Sequence, residues 1–499
     1  MKYIACILVV LCLLSCGDDF LNKTDPATLV ASGFYKTEAQ VQQAVNGVYG
    51  QLQGIILSQW RYNEFITDNT TLHFNTGDRG QGPDIEALEF WQVNSGTPTI
   101  STLYSSIYLS MVNINTTLVK LPEATFDATL KAQYEGELRF IRAYYYFLLV
   151  QYFGEVIIIT EPLQTPAEAY AFERQPVDNV YELIRSDLDF AVNALPASYN
   201  ATNKGRASKG AALTLLGKVQ LTLKEYGDAI ATLRQVLSLG YSLLPNYADV
   251  FDPQNKNHAE SVFDVQFQGD NTQGEGSNFI YTFAPLYSDG SVINFPGQNG
   301  AGWNIPSRDM IAAYEPGDLR KEVSLKEGYL NQANEWVSVP FINKYNHPHT
   351  IRGITNDNWP VLRYADVLLM LAEAINEEEK GPSTEAYGYV NIIRDRADLE
   401  ELSGLDEVSF REAVLKERRV ELAFENHRWF DLKRTKTPEA MATFLNAYAA
   451  IEKSNPTTDR GGIPFTPGDY QFSPYEVLFP IPASERRINT KLSQNTGYN

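Results

Sequence analysis

Apolar residues recur at three- and four-residue intervals through most of the chain, the spacing that places them on one face of a helix. Over residues 101–121 the stripe is Tyr104, Ile107, Tyr108, Met111, Ile114 and Leu118. Over residues 134–152 it is Tyr134, Leu138, Ile141, Tyr145, Leu148 and Tyr152, followed by Gly154, a residue suited to a helix C-terminus. Two long antiparallel helices, each burying one face, are predicted. A third carries Val180, Leu183, Ile184, Leu188 and Ala191 and stops at Pro196. Next, Leu216, Val219, Tyr226, Ile230, Leu233 and Val236 outline a helical hairpin with Gly217 and Ala229 where the two helices must approach, as in one tetratricopeptide repeat.

Between residues 246 and 360 the texture changes. Short β-prone runs at 261–267 and 336–341 alternate with Gly-, Asn- and Pro-rich loops, a sign of a loop-rich insertion laid on the helices. Helical spacing returns at Tyr364, Val367, Leu368, Leu371 and Ile375, then over 389–396, then over 409–434. On that last predicted helix Leu415, Leu422 and Trp429 share a face. Arg418, Glu421, Glu425, Arg428, Asp431 and Arg434 stand three or four apart, so a ladder of ion pairs is geometrically available, and a structural network holding helices together is expected rather than catalysis. The fold class is mainly α: a tetratricopeptide-like helical scaffold over about 34–245 and 360–450, a loop-rich insertion with a few short β-strands over about 246–359, and an extended segment 451–499.

The N-terminus changes the picture of where such a protein works. Lys2 precedes an apolar run that is too short to span a bilayer and ends in Leu13-Leu14-Ser15-Cys16. This predicts a lipoprotein signal, 1–15 removed and Cys16 lipidated, leaving a single domain over 16–499. Cys6 and Cys12 lie in the removed part, so the mature chain is expected to hold no disulfide or thiolate metal site. With 41 basic and 61 acidic residues the net charge is −20, which opposes nucleic acid and anionic lipid and favours a neutral ligand. Aromatics are abundant, with 29 tyrosines and 6 tryptophans, whereas only five histidines are present. Stacking surface is plentiful, and the residue most used for proton transfer near neutral pH is scarce. The pair His347 and His349 reads as a surface loop, and neither metal nor cofactor is expected.

Several stretches resemble one known family. Arg363-Tyr364-Ala365-Asp366-Val367-Leu368-Leu369-Met370-Leu371-Ala372-Glu373-Ala374 is similar to the RYAEVLLMYAEA signature of SusD/RagB proteins. Asn391-Ile392-Ile393-Arg394-Asp395-Arg396-Ala397, Glu417-Arg418-Arg419-Val420-Glu421-Leu422 and Arg428-Trp429-Phe430-Asp431-Leu432 resemble the helices that follow it. Leu478-Phe479-Pro480-Ile481-Pro482 and Gln494-Asn495-Thr496-Gly497-Tyr498 resemble the family's closing pattern, and Ala44-Val45-Asn46-Gly47-Val48-Tyr49 fits near its start. The resemblance implies a scaffold of four tetratricopeptide-like helix pairs and a ligand face carried by loops and short strands. It implies a lipid-anchored protein at the cell surface of an outer membrane, capturing a glycan and acting as lid of a SusC-like TonB-dependent barrel. Asp18-Asp19 beside Cys16 fits the acidic tract that often directs such lipoproteins outward.

A pyranose presents one face of C–H groups and a rim of hydroxyls, so its receptor needs flat aromatic surface flanked by polar groups. Trp359 and Trp429 sit in helix- or strand-forming motifs and read as core, as does Trp336 in its strand-like run. Trp303, Trp91 and Tyr287 fall in polar or Gly-rich loops and are the aromatic candidates. Asn94, Asp68 and Arg79 are the polar ones; the resemblance supports Trp91, Asn94, Tyr287 and Trp303 by order along the chain alone. Three alternatives stay open: a peptide-binding lid of the RagB type, a surface glycoside hydrolase, and a helical-repeat scaffold that binds only protein.

Overall fold

The computed structural model describes residues 34–77, 83–163, 165–269 and 275–498; Cys16 and Arg79 lie outside them. Helix α1 (Glu38–Asn63) starts at a capping box in which Thr37 Oγ1 accepts from the Gln40 N–H and the Gln40 side chain accepts from the Thr37 N–H. Its buried stripe is Val41, Val45, Val48, Leu52 and Ile56. Helix α2 (Pro98–Lys120) has proline in its first turn, and α3 (Ala128–Phe153) is capped by the Asp127 carboxylate and ends at Gly154 with φ of 70°. From residue 140 to 153 every side chain of α3 is buried, so this helix is the centre of the core rather than a one-faced surface helix.

The series continues with α4 (Val177–Ala194), α5 (Lys209–Thr222), α6 (Tyr226–Val236), α7 (Tyr364–Glu379), α8 (Thr384–Arg396) and α9 (Glu407–Glu421). Each of α1 to α7 packs on the next, and α7 also receives α8 and α9. The periodicity predicted α2 to α6 and α7 as helices, and their stacking on one another is the helical scaffold that the resemblance implied. At the α5–α6 crossing Gly217 has no room for a side chain, because a Cβ there would lie 2.5 Å from Leu233. The scaffold closes with α10 (Arg428–Thr435) and α11 (Pro438–Ser454).

Among the described residues eight short strands serve as ties. They are β1 (Thr70–Thr71), β2 (Ser261–Val265), β3 (Ile305–Pro306), β4 (Leu325–Lys326), β5 (Tyr329–Leu330), β6 (Trp336–Val337), β7 (Phe341–Ile342) and β8 (Trp359–Arg363). All pair antiparallel in twos: β1 with β3, β2 with β8, β4 with β7 and β5 with β6. The β2–β8 ladder brackets the loop-rich insertion and hands the chain straight into α7. Within the insertion Ile280, Ala284, Val292, Ile293, Tyr329 and Phe341 form a small core of their own.

Two sequence expectations are corrected. Residues 409–434 form not one helix but two, because Phe424 and Asn426 take left-handed backbone angles of 64° and 69°. The carbonyls freed at the end of α9 are taken by buried donors: Lys344 Nζ reaches Ala423 O at 2.7 Å, Tyr345 Oη reaches Phe424 O at 3.0 Å, and Arg363 reaches Glu421 O at 2.5 Å. Of the available ladder Asp431 keeps Arg434 at 2.7 Å, and most of the other charges pair across elements in the expected network that holds helices together, such as Arg418 with Asp366 at 2.8 Å and Glu421 with Arg396 at 2.6 Å. Trp336, expected in a packed run, is 61% exposed. Its neighbours Val337 and Val339 lean on the insertion's small core, and the two-residue alternation of a strand sends Trp336 outward. Trp359 and Trp429 are buried, as expected.

The end of α1 carries a carboxyl that couples stability to pH. Burial pushes Glu64 up to about 7, although its oxygens accept from Asn69 Nδ2 at 2.9 Å and the Asn426 N–H at 2.8 Å. A folded-state value above the unfolded one means a contribution fully present below the unfolded value of about 4.3 and lost as pH rises through about 7. Glu64→Gln is therefore expected to gain stability relative to the natural protein between pH 5 and 8, by roughly 2–3 kcal/mol across that range. Urea unfolding at both pH values checks this; a difference that does not move with pH would remove the assignment.

Candidate functional site

Three loops meet where β1 and β3 pair. Register sets Thr70 opposite Pro306 and Thr71 opposite Ile305, and Thr70 Oγ1 donates to Asn304 Oδ1 at 2.6 Å. Just beyond, the His73 N–H donates to Gly302 O at 2.7 Å, and His73 Nδ1 accepts from the Leu286 N–H at 3.1 Å. Burial lowers His73 to about 4, so at neutral pH the ring is uncharged and free to accept at Nδ1. The third loop enters through Thr458, whose hydroxyl accepts from the Phe74 N–H and donates to Leu72 O. Beside it the Arg460 guanidinium lies between the rings of Phe74 and Phe465, 3.9 and 3.8 Å from their centroids.

Tyr287 stands on this base. The residue is 66% exposed, its ring sits edge-on to His73, and its hydroxyl donates to Asn75 Oδ1 at 3.0 Å. The backbone there has φ of 60°, an angle that costs a non-glycine residue about 1–2 kcal/mol. The loop is held in it by bonds from the Asp289 N–H to Asn299 Oδ1 at 2.7 Å and from the Gly290 N–H to Gln298 O at 2.8 Å. The result is an aromatic side chain held largely in water on a positive-φ, tied-down backbone. Trp303 follows in the same loop, half-buried against the main core between Gly302 and Asn304, both at positive φ. The geometry offers flat apolar surface beside amide groups, and among the described residues of this face no nucleophile is paired with a base.

Two family models match the chain in tandem: one described as starch-binding and associating with the outer membrane, over residues 19–221, and one described as the SusD family, over residues 319–498. The chain belongs to the SusD/RagB family. As a SusD-like protein it is carbohydrate-binding, outer-membrane-associated and non-catalytic. SusD-like protein P25 of Formosa agariphila is 28% identical over 96% of both chains, and a SusD-like protein of Bacteroides ovatus is 24% identical over 87% of this chain and 82% of its own. Among solved structures, a laminarin-binding SusD-like protein superposes with a TM-score of 0.77 at 26% identity, covering 93% of this chain and all of its own. A SusD superfamily protein from Parabacteroides distasonis gives 0.76 at 26% identity, over 92% of this chain and 99% of its own.

In this SusD-like chain the sequence candidates separate. Tyr287 and Trp303 share one loop of the face just described. Trp91 is 6% exposed; its indole N–H donates to Ile66 O at 3.1 Å and its ring meets Tyr470 and Phe472 edge-on, so neither ring face is offered to solvent. Asp68 is also buried, forked by Arg428 at 2.8 and 2.7 Å and bridged by Arg419 at 2.9 Å. Burial raises its carboxyl, but the two guanidinium groups overcome this and hold it near 2. Asn94 is exposed, yet its Oδ1 accepts from the Gly96 N–H in the turn that opens α2. His73, Asn75 and Thr458 were not legible, because their roles depend on loops more than two hundred residues apart.

Proposed function

We propose that the protein captures a neutral polysaccharide at the cell surface and delivers it to a SusC-like TonB-dependent barrel, for which it acts as lid, held in the outer membrane by lipid on Cys16. The observation that carries the glycan reading is Tyr287: a water-facing ring on a rigid, strained loop, flanked by the amides of Asn75 and Asn299. A sugar ring stacks on such a face while its hydroxyls donate to or accept from the amides. Trp303, half-buried in the same loop, stays a second aromatic candidate, and Arg79 and Asn94 stay polar candidates. The lid role rests on family membership and on the expected anchor, and copurification with a barrel in mild detergent tests it.

The ligand of the solved laminarin-binding relative makes laminarin the first polysaccharide to try. Stacking is indifferent to a net charge of −20, which is in any case screened beyond about 8 Å at physiological salt. Calorimetry is therefore expected to give binding of a neutral glycan, on the order of micromolar or weaker, that changes little between low and high salt. Exclusive binding of a uronate polymer, weakening steeply with salt, would replace this reading with an electrostatic one.

A further inference from the structure

The hairpin β5–β6 carries an aromatic that the Tyr287 face does not use. Leu330 and Trp336 are register partners, 55% and 61% exposed, on the side of the hairpin turned away from the insertion's core. The indole rests against Gly328: a Cβ at that position would stand 2.5 Å from Trp336 Cζ2, so only glycine lets the ring lie this low on the backbone. A large apolar side chain in water, supported beneath and unused by the core, marks a contact surface.

The ground beside it is polar and concave. Glu327, next to Gly328, and Ser338, two residues beyond Trp336, both line a cleft of about 740 Å³ that also holds Arg308, Glu315, Leu319 and Glu322. Its carboxylates are already neutralised at the surface, Glu327 by Lys321 at 2.6 Å, Glu322 by Lys326 at 2.7 Å and Glu315 by Lys416 at 3.0 Å. They keep lone pairs for hydroxyl donors without presenting a net field to a charged ligand. The turn of the hairpin touches the Tyr287 loop, Gln332 Nε2 donating to Asp289 O at 2.9 Å, so the hairpin and that loop are neighbours.

We propose that Trp336 and this cleft form a second glycan-contact patch, separate from the Tyr287 face, which takes the continuing chain of a neutral polysaccharide too long for the first face alone. The inference rests on the glycan-binding reading above. Two weak contacts on one chain act as linked sites, so the patch raises affinity for long ligands and leaves short ones untouched.

The test compares laminarin with its two- or three-unit oligosaccharide on the natural protein, Trp336→Ala and Trp336→Phe. Affinity electrophoresis and calorimetry are the readouts. Trp336→Ala is expected to weaken laminarin binding by about five- to tenfold, leave the oligosaccharide within twofold and keep the urea midpoint, since the side chain is exposed; Trp336→Phe, which retains a ring, is expected to recover most of the loss. Laminarin binding unchanged in Trp336→Ala overturns the inference, including the case where that variant loses only a copurifying barrel. Equal loss on short and long ligands also overturns it, placing Trp336 within the first face. A natural protein that binds neither laminarin nor any other neutral polysaccharide sinks the glycan reading itself, an outcome distinct from both.

Discussion

Arg363→Ala is expected to lose about 3–5 kcal/mol of folding stability, a large share of the roughly 5–15 kcal/mol that holds a folded protein together. The guanidinium is 1% exposed and sits among three carboxylates, with Nε 2.7 Å from Glu425, Nη1 2.9 Å from Glu260 and 2.5 Å from Glu421. Further cations share those acids: Arg396 bridges Glu260 and Glu421, Lys344 bridges Glu425, and Arg320 bridges Glu421 and Glu417. Removing one member leaves buried negative charge that the rest cannot fully cover. Arg363→Lys is expected to recover little, because an ammonium cannot reproduce the fork onto Glu421 and Glu425. The comparison that decides between burial and mere pairing is Arg234→Ala, which breaks a 2.6 Å bridge to Glu385 whose partners are 47% and 39% exposed; a change of about 0–1 kcal/mol is expected there.

The same network fixes a sign with pH. Burial raises the Glu421 carboxyl, but Arg396, Arg363 and Arg320 overcome it and hold it well below the ordinary range. A depressed carboxyl contributes stability above its unfolded value of about 4.3 and loses it as pH falls. Without Arg363 the carboxyls rise and are protonated more readily, so the deficit of Arg363→Ala should shrink on going from pH 7 to pH 4. Urea titrations at the two pH values measure it. A deficit that stays constant would show that lost packing, not uncovered charge, is responsible.

The second large effect is on binding. Tyr287→Ala is expected to weaken the cognate glycan by about 2 kcal/mol, roughly thirtyfold in Kd, from the ring area that the sugar would cover at about 25 cal/mol per Å². Stability should barely change, since two thirds of the residue is in water. Tyr287→Gly separates a binding role from a structural one. Glycine relieves the backbone at φ of 60°, so this variant should be as stable as the natural protein or more so while binding no better than Tyr287→Ala. Tyr287→Phe keeps the ring and loses only the bond to Asn75, and an intermediate loss is expected. If all three bind as the natural protein does, the Tyr287 face is not the site.

The helices were legible because their signal is local. The stripes at Tyr104–Ile107–Met111 and Leu138–Ile141–Tyr145 needed only a 3.6-residue period, and Gly154 and Pro196 only their own backbone preferences. Gly217 could be read as a close crossing from its size alone. Family membership was legible for a related reason, because the motif around Arg363 combines a helix start with the side chain that anchors the buried network. The break after Glu421 was not legible. Helical spacing runs through it without interruption, and the chain departs only because Lys344, Tyr345 and Arg363 supply the donors that replace the lost helical bonds.

The site divides along the same line. Sequence alone determined that the chain is a helical stack with a loop-rich insertion, rich in aromatic rings and poor in histidine, and it singled out Tyr287 and Trp303 from the polar and glycine-rich character of their loop. Exposure was decided by the tertiary structure. Trp91 and Tyr287 both occupy positive-φ positions in irregular chain, yet one is sealed by Tyr470 and Phe472 arriving from the C-terminal segment, and the other is left bare. Asp68 was turned from candidate to scaffold by two arginines about three hundred and fifty residues away in sequence. Trp336 came outward because two valines beside it found a core. Whether a ring faces water depends on what the rest of the chain brings against it, a long-range outcome that no local pattern carries.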